Sequence, residues 1–153
     1  MKHITIATAQ ISRVDMSDPH NIDITIKSGT GPGAILAPTW ALVAGYKLHR
    51  QLEAGEEVDP RWRFYHPISW KAYTEAYLRL LRERYRAHET HFLDLLDMSE
   101  LVLCCYCRSE DDCHRHLAAD ILMKIALHHC CPVTRLHEPG SQLDWHAIPD
   151  LHS

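Results

Sequence analysis

Residues 101–122 read LVLCCYCRSEDDCHRHLAADIL, and this stretch decides the fold because it joins three kinds of local structure. Residues 101–105 are almost wholly apolar, which is typical of a strand inside a parallel sheet. A polar loop follows, and apolar side chains then recur with helical spacing as far as Ile125. The pattern predicts a strand, a loop and a helix from about Cys113 to His129.

Further strands and helices are predicted on both sides of this unit. Runs rich in β-branched residues predict strands at residues 3–8, 22–27 and 132–135. Apolar residues spaced three or four apart predict one helix with Pro38 in its first turn and its end near Gln51. They predict a second helix that follows Ser69 as N-cap and breaks near His88, and further helical turns at 91–98.

The order of these elements predicts the fold class. We expect a single α/β domain over residues 1–137, with a mostly parallel central sheet flanked by helices in Rossmann-like layers. We expect residues 138–153 to form a loosely packed C-terminal tail. Ligands of such sheets bind beyond the carboxyl ends of the strands, so the loop between residues 105 and 115 is the first place to look for a site.

Composition limits the classes of function. The chain has 153 residues, of which 46% are hydrophobic and 24% charged, as in ordinary globular domains. Its net charge of -4 argues against a protein that coats nucleic acid non-specifically. No run approaches the ~20 apolar residues of a membrane span, and the first ten residues do not look like a signal peptide. We therefore expect a cytoplasmic protein that does not contact membranes.

Histidine and cysteine are unusually frequent, with 13 and 6 copies. All the cysteines lie between Cys104 and Cys131, so disulfides among them would not join distant parts of the chain. This distribution fits a reducing compartment. The thiols are then free, metal ligands or a redox pair.

The start of the predicted helix is the main candidate site. Unpaired backbone N–H groups and the helix dipole attract anions there, and they are expected to lower the pKa of Cys113. Arg108 and Arg115 add planar donors that suit phosphate. We predict that Arg108, Cys113, His114 and Arg115 bind a phosphorylated small molecule. The acidic residues 110–112 either cap the helix or repel the anion.

Two other segments are predicted to contribute to the same ligand site. Gly31 lies in a glycine-rich stretch between a strand and a helix, where phosphate-binding turns occur, although a flexible connector is the alternative. Residues 61–86 form a basic aromatic region in which Trp62 and Tyr65 can stack on a base while Arg63 contacts phosphate. These features favour a nucleotide or nucleotide derivative as the ligand. The alternative is a nucleic-acid-binding module that uses residues 61–86.

The cysteines and histidines leave two further alternatives. An enzyme would use Cys105 or Cys113 as nucleophile with His114 or His116 as acid or base. Cys113 and His114 are a poor pair because adjacent helical residues point about 100° apart, so Cys105 with His114 across the loop is the better pair. We expect no cofactor, and the alternative is zinc at Cys105, Cys107, Cys113 and His114. Residues 128–131 lie roughly 24 Å from Cys113 along a helix that rises 1.5 Å per residue, so they cannot share that ion.

The strand at 101–103, the Cys105-Tyr106 pair and the Cys113-His114-Arg115 helix start resemble the domain of unknown function 488 family. The resemblance extends over about residues 1–130 and includes the segment before the first helix. It implies a small α/β fold and a phage or bacterial source. The family has no settled biochemical activity, so the resemblance implies none for this chain. In that family a Glu commonly follows the Cys-Tyr pair, whereas Cys107 occupies this position here.

Overall fold

The computed structural model describes residues 2–108, 112–136 and 138. These residues form four strands and four α-helices. The strands are β1 (Ile4–Gln10), β2 (Asn21–Asp23), β3 (Glu100–Cys105) and β4 (Val133–Arg135). The helices are α1 (Trp40–Glu53), α2 (Trp70–Ala87), α3 (Glu89–Leu96) and α4 (His114–His128). Two short 3-10 helices cover Ile11–Arg13 and Pro32–Leu36.

The strands form one parallel sheet in the order β2-β3-β1-β4. The register places Ile6 beside Leu101 in the central pair and Ile22 beside Leu103 at β2. Three helices lie between β2 and β3, and α4 lies between β3 and β4, as parallel connections require. The predicted α/β class with a parallel sheet and Rossmann-like layers is confirmed.

A single large core joins the sheet to the helices. Ile6 and Leu103 from the two central strands pack in one cluster with Tyr77 of α2, Phe92 of α3 and Leu122 of α4. All five side chains have no exposed surface. Each such side chain contributes about 1.5–3 kcal/mol to the free energy of folding by leaving water. The apolar helix faces predicted from the sequence are the ones that pack against the sheet.

The second predicted strand is shorter than residues 22–27 because its own polar side chains end it. The Asp23 carboxylate accepts a hydrogen bond from the Thr25 N–H (2.8 Å), and the Thr25 hydroxyl accepts from the Lys27 N–H (3.1 Å). Such local side-chain bonds replace the ladder of a sheet. The chain therefore turns at Asp23, and residues 25–27 become available to line a cavity.

Gly33 lets the 3-10 helix approach this turn closely. A Cβ atom at Gly33 would lie 2.1 Å from the carbonyl oxygen of Asp23. No larger residue fits between the two backbones without moving one of them. The Pro32–Leu36 helix is therefore packed against the end of β2, and the flexible connector considered for the stretch around Gly31 stays an open alternative.

Two helix starts are set by hydroxyl caps. The Ser69 side chain accepts a hydrogen bond from the Ala72 N–H (3.1 Å), which confirms the predicted N-cap of α2. The Thr39 side chain accepts from the Leu42 N–H (3.3 Å), so α1 begins at Trp40 and Pro38 precedes the cap. The predicted position of Pro38 in the first turn is wrong because Thr39 takes the capping role.

The C-terminal boundary placed at residues 137/138 stays a prediction. Glu138 itself is 4% exposed, so it is packed rather than loose. Residues 139–153, which make up the rest of the predicted tail, lie outside the described residues. No α-helix in the described ranges combines the length and the hydrophobicity needed to cross a membrane.

Candidate functional site

Three side chains converge where β3 ends and α4 begins. Cys105 is the last residue of β3, Cys113 is the N-cap of α4, and His114 is its first residue. The Nδ1 atom of His114 lies 3.7 Å from the Cys113 sulfur and 3.9 Å from the Cys105 sulfur. All three side chains are buried, and their potential ligand atoms lie within 4.8 Å of one another. We call these three residues the Cys–His cluster.

The turn after β2 fixes the orientation of His114. Its Nε2 atom lies 2.7 Å from the carbonyl oxygen of Ile24. A carbonyl only accepts hydrogen bonds, so Nε2 carries the proton and the neutral ring directs the Nδ1 lone pair towards the sulfurs. The Tyr77 ring packs edge-on against the imidazole at 5.5 Å between centroids. The imidazole is therefore held on one side by backbone and on another by an aromatic ring.

The thiols do not share one electrostatic environment. Burial raises the pKa of Cys113 to about 12, which overturns the prediction of a lowered value at the helix start. Hydrogen bonds with Cys107 and Cys113 raise the pKa of Cys105. Contacts with Cys105 and Cys113 lower the pKa of Cys107. Negative charge in this group is thus favoured at Cys107.

The pKa of His114 is raised in spite of its burial. Burial acts against the charged ring, but the contacts with Cys105 and with the Ile24 carbonyl outweigh it. The raised pKa favours a second proton on the ring, which Nδ1 can share with a neighbouring thiol, whereas only the neutral ring donates its Nδ1 lone pair to a cation.

Arg115 is built into the protein rather than directed into solvent. Its guanidinium forms a two-point ion pair with Glu138 (2.7 and 3.0 Å) and also donates to the carbonyl oxygens of Cys107 and Arg108 (2.8 and 3.3 Å). The predicted phosphate contact of Arg115 stays a prediction, and the contacts that the structure describes hold the loop after β3. Arg108 is exposed and does not line the cavity described next.

A cavity of about 350 Å³ opens beside the Cys–His cluster. Its wall includes the cluster and Cys107. The aromatic residues in the wall are Trp40, Tyr46, Trp62, Trp70 and Tyr73, and the cationic ones are Lys27, Lys47, Arg50 and Arg61. One acidic residue, Asp112, also lines the cavity and accepts a hydrogen bond from the Tyr46 hydroxyl (3.3 Å). We call this space the cluster cavity.

The basic aromatic region contributes to the cluster cavity only in part. Trp62 lines it, although only 7% of this residue is exposed. Its ring is stacked with Trp40 (6.3 Å between centroids) and lies near Arg61 (4.7 Å) and Lys47 (5.0 Å). Arg63 and Tyr65 are exposed and are not part of the wall. Their predicted contacts with a ligand stay predictions.

Gly31 belongs to a different cavity. A larger space of about 560 Å³ lies between the Pro32–Leu36 helix and α3, and Gly31, His88 and Asp94 are among its lining residues. It contains no thiol, whereas the cluster cavity combines reactive, aromatic and cationic groups. We therefore place the candidate site in the smaller cavity. The structure does not bring Gly31 to the Cys–His cluster.

Sequence reasoning missed the contribution of α1. Trp40, Val43, Lys47 and Arg50 all line the cluster cavity. Their spacing of i, i+3, i+7 and i+10 places them along one helix face. This spacing is visible in the sequence, but an aromatic and two cations on one face read equally well as a solvated surface.

Comparison with known proteins gives one match. The model of the family described as DUF488-N3a, the active DUF488-N3 subclade, matches residues 34–126, which is more than half of the chain. The matched segment contains all four helices except the last residues of α4, and it includes the Cys–His cluster. Comparison with curated proteins and with solved structures gave no match.

Proposed function

The chain belongs to the DUF488-N3a family, and on this premise we propose that it binds a phosphorylated, nucleotide-like small molecule in the cluster cavity. One observation carries the proposal: aromatic rings and cationic side chains line the same cavity beyond the carboxyl end of β3. Ligands of parallel α/β sheets usually bind at this edge. The volume of about 350 Å³ is in the range of small-molecule sites.

The aromatic wall supports recognition of a base. Trp40 is 46% exposed, whereas Trp62 behind it is almost completely buried. Trp62 thus supports Trp40, and the outer ring offers a face for stacking. Stacking of one base on an aromatic side chain contributes about 1–3 kcal/mol.

The cationic residues support recognition of phosphate. Lys27, Lys47 and Arg50 are exposed and line the cavity, while Asp112 is the one acidic residue among the described residues of its wall. Arg50 lies over the Tyr46 ring at 5.9 Å, and Lys47 lies over the Trp62 ring. These contacts keep the positive charges beside the aromatic wall. A molecule with both a ring and a phosphate matches that arrangement.

Isothermal titration calorimetry with adenosine monophosphate tests this proposal, with adenosine and inorganic phosphate as separate titrants. We expect the complete nucleotide to bind more tightly than either part. We expect Lys47→Ala and Arg50→Ala each to raise Kd by about 10- to 100-fold, since a hydrogen bond to a charged group contributes about 1.5–3 kcal/mol.

Arg82→Ala is the matched control because Arg82 is exposed on α2 and does not line the cavity. Equal effects of Arg82→Ala and Lys47→Ala would contradict the proposal. Tighter binding of a single-stranded oligonucleotide, with a steep loss of affinity as salt rises, would favour the nucleic-acid-binding alternative. Absence of binding by all of a panel of purine and pyrimidine nucleotides would reject a nucleotide-like ligand.

Catalysis on the bound molecule is a second candidate function. It is favoured by the position of the Cys–His cluster in the wall of the same cavity, and the matching family model is described as an active subclade. The test is to incubate the protein with each nucleotide that binds and to look for products by mass spectrometry. Cys105→Ser should abolish turnover and leave Kd unchanged. Unchanged turnover in this variant and in His114→Ala would exclude the cluster as the reacting group.

A further inference from the structure

We propose that Cys105, Cys107, Cys113 and His114 form a zinc site at the wall of the cluster cavity. Among the described residues, Cys105, Cys113 and His114 are the only three metal-ligating side chains whose donor atoms lie within 4.8 Å of one another. All three are buried. Sulfur and imidazole nitrogen are the donors that Zn²⁺ prefers in proteins.

The distances between donor atoms agree with tetrahedral coordination. Bond lengths of about 2.3 Å to sulfur and 2.05 Å to nitrogen place the two donors about 3.6 Å apart across a tetrahedral angle. The observed separations from Nδ1 of His114 are 3.7 Å to Cys113 and 3.9 Å to Cys105. These two nitrogen–sulfur separations therefore match zinc ligation to within a few tenths of an ångström, and the two sulfurs lie within 4.8 Å of each other.

The second nitrogen of His114 has the partner that a zinc ligand needs. Metal-bound histidines almost always donate their other ring N–H to a carbonyl, a carboxylate or water, which fixes the tautomer. Nε2 of His114 lies 2.7 Å from the Ile24 carbonyl oxygen. The Nδ1 lone pair is thereby directed to the two sulfurs before any ion binds.

Cys107 supplies the fourth donor. It follows Cys105 by two residues and lines the same cavity, although its sulfur does not lie within 4.8 Å of all three other donor atoms, so the loop after β3 moves inward when the ion binds. The Arg115 guanidinium holds this part of the loop by donating to the Cys107 carbonyl oxygen (2.8 Å). Three thiolates and one divalent ion leave one negative charge, and the N-terminal end of α4 stabilises it.

Metal analysis of untagged protein from zinc-supplemented cells tests the site without reference to any nucleotide. We expect one zinc ion per chain, retained through gel filtration. Cys105→Ser, Cys113→Ser and His114→Ala should lose the ion. Cys130→Ser and His129→Ala, at the opposite end of α4, are matched controls and should keep it.

If a variant does not fold, cobalt substitution of the wild-type protein still tests the metal site. Thiolate ligation gives intense sulfur-to-cobalt charge-transfer absorption, and Cys107→Ser should reduce it by roughly one third because three thiolates become two. Unchanged absorption in Cys107→Ser would show that Cys107 is not the fourth ligand. Zinc far below one ion per chain, with no charge-transfer band, would overturn the whole site.

Failure of this site and failure of the proposed ligand are separate results. Zinc is measured with no nucleotide present, and calorimetry measures nucleotide binding directly. A metal-free protein whose Cys105 is rapidly alkylated by iodoacetamide would overturn the zinc site and assign the cluster to a thiol–imidazole pair. A zinc-loaded protein that binds no nucleotide would retain the zinc site and reject the ligand.

Discussion

The two ends of α4 have similar residues in different surroundings. At the N-terminal end, Cys113 and His114 are buried and face Cys105 from a neighbouring strand. At the C-terminal end, residues 128–131 supply two histidines and two cysteines, but His128, His129 and Cys130 are exposed. The same amino acids form a compact group at one end and a dispersed surface at the other.

The two tyrosines of α2 that contact the ends of α4 also differ in burial. Tyr77 packs against His114, and its hydroxyl donates to the Leu36 carbonyl oxygen (2.6 Å) in the interior. Eight residues further along α2, the Tyr85 hydroxyl lies 3.2 Å from Nε2 of His129 in a more exposed position. A site forms where strand ends, a turn and a helix start meet. At the other end of α4, His129 contacts Tyr85 and Glu89 but stays exposed, so these contacts do not form a buried site.

The largest expected effect is at the buried ion pair of the N-terminal end. Arg115→Ala removes the cation of a buried ion pair and leaves the Glu138 carboxylate with the Thr8 hydroxyl as a neutral donor, and loss of one member of such a pair destabilises proteins by about 3–5 kcal/mol. Lys124→Ala, an exposed cation on the same helix, should change the free energy of unfolding by less than about 0.5 kcal/mol. Urea unfolding measures both. Equal stability of the two variants would show that Arg115 has no such role.

The next largest effect compares the two tyrosines. Tyr77→Phe leaves the buried Leu36 carbonyl without its donor, so we expect a loss of about 1–3 kcal/mol in the free energy of unfolding. Tyr85→Phe removes a hydroxyl in a more exposed place and should cost less than about 0.5 kcal/mol. Thermal and urea unfolding measure the difference. A larger loss in Tyr85→Phe would reverse our ranking of the two ends.

Thiol reactivity separates the two groups of cysteines directly. In the native protein, iodoacetamide should modify exposed Cys130 at least about tenfold faster than buried Cys105 and Cys113, because burial hinders access and raises the pKa of Cys113. Peptide mass mapping over time gives the rate at each site. Denatured protein is the control, in which the rates should converge. Equal native rates would contradict the burial of the cluster.

The smallest effects are expected at the exposed end. His128→Ala and Cys130→Ser remove surface side chains, and each should change the free energy of unfolding by less than about 0.5 kcal/mol. Chemical unfolding at one protein concentration is sufficient to compare them with the wild type. A loss of more than about 2 kcal/mol in either variant would reveal a structural role for the C-terminal end of α4.

Local patterns were sufficient for most of the secondary structure. The apolar run before Cys105 and the helical spacing after Cys113 predicted β3 and α4 within one or two residues. Ser69 marked the start of α2 through its capping hydroxyl. Such features depend on residues a few positions apart, so they can be read directly. The early end of β2 was missed because the turn bonds of Asp23 compete with strand pairing.

The sequence predicted the thiols and the imidazole of the candidate site, but only some of the other residues that line it. The sequence placed Cys105, Cys113 and His114 at one strand–helix junction, and these side chains do meet. It also grouped Gly31 with them, although Gly31 lines another cavity. The contribution of Lys47 and Arg50 was not seen, because nothing near them in the chain indicates that α1 faces this junction.

The sequence by itself determined the α/β class, the parallel sheet and the junction that holds the thiols, because periodicity, caps and spacing act over short distances. Only the tertiary structure decided which groups surround that junction. The Ile24 carbonyl orients His114 from 90 positions away, and Glu138 neutralises Arg115 from 23 positions away. These contacts depend on how the sheet and helices pack, and no local pattern encodes them.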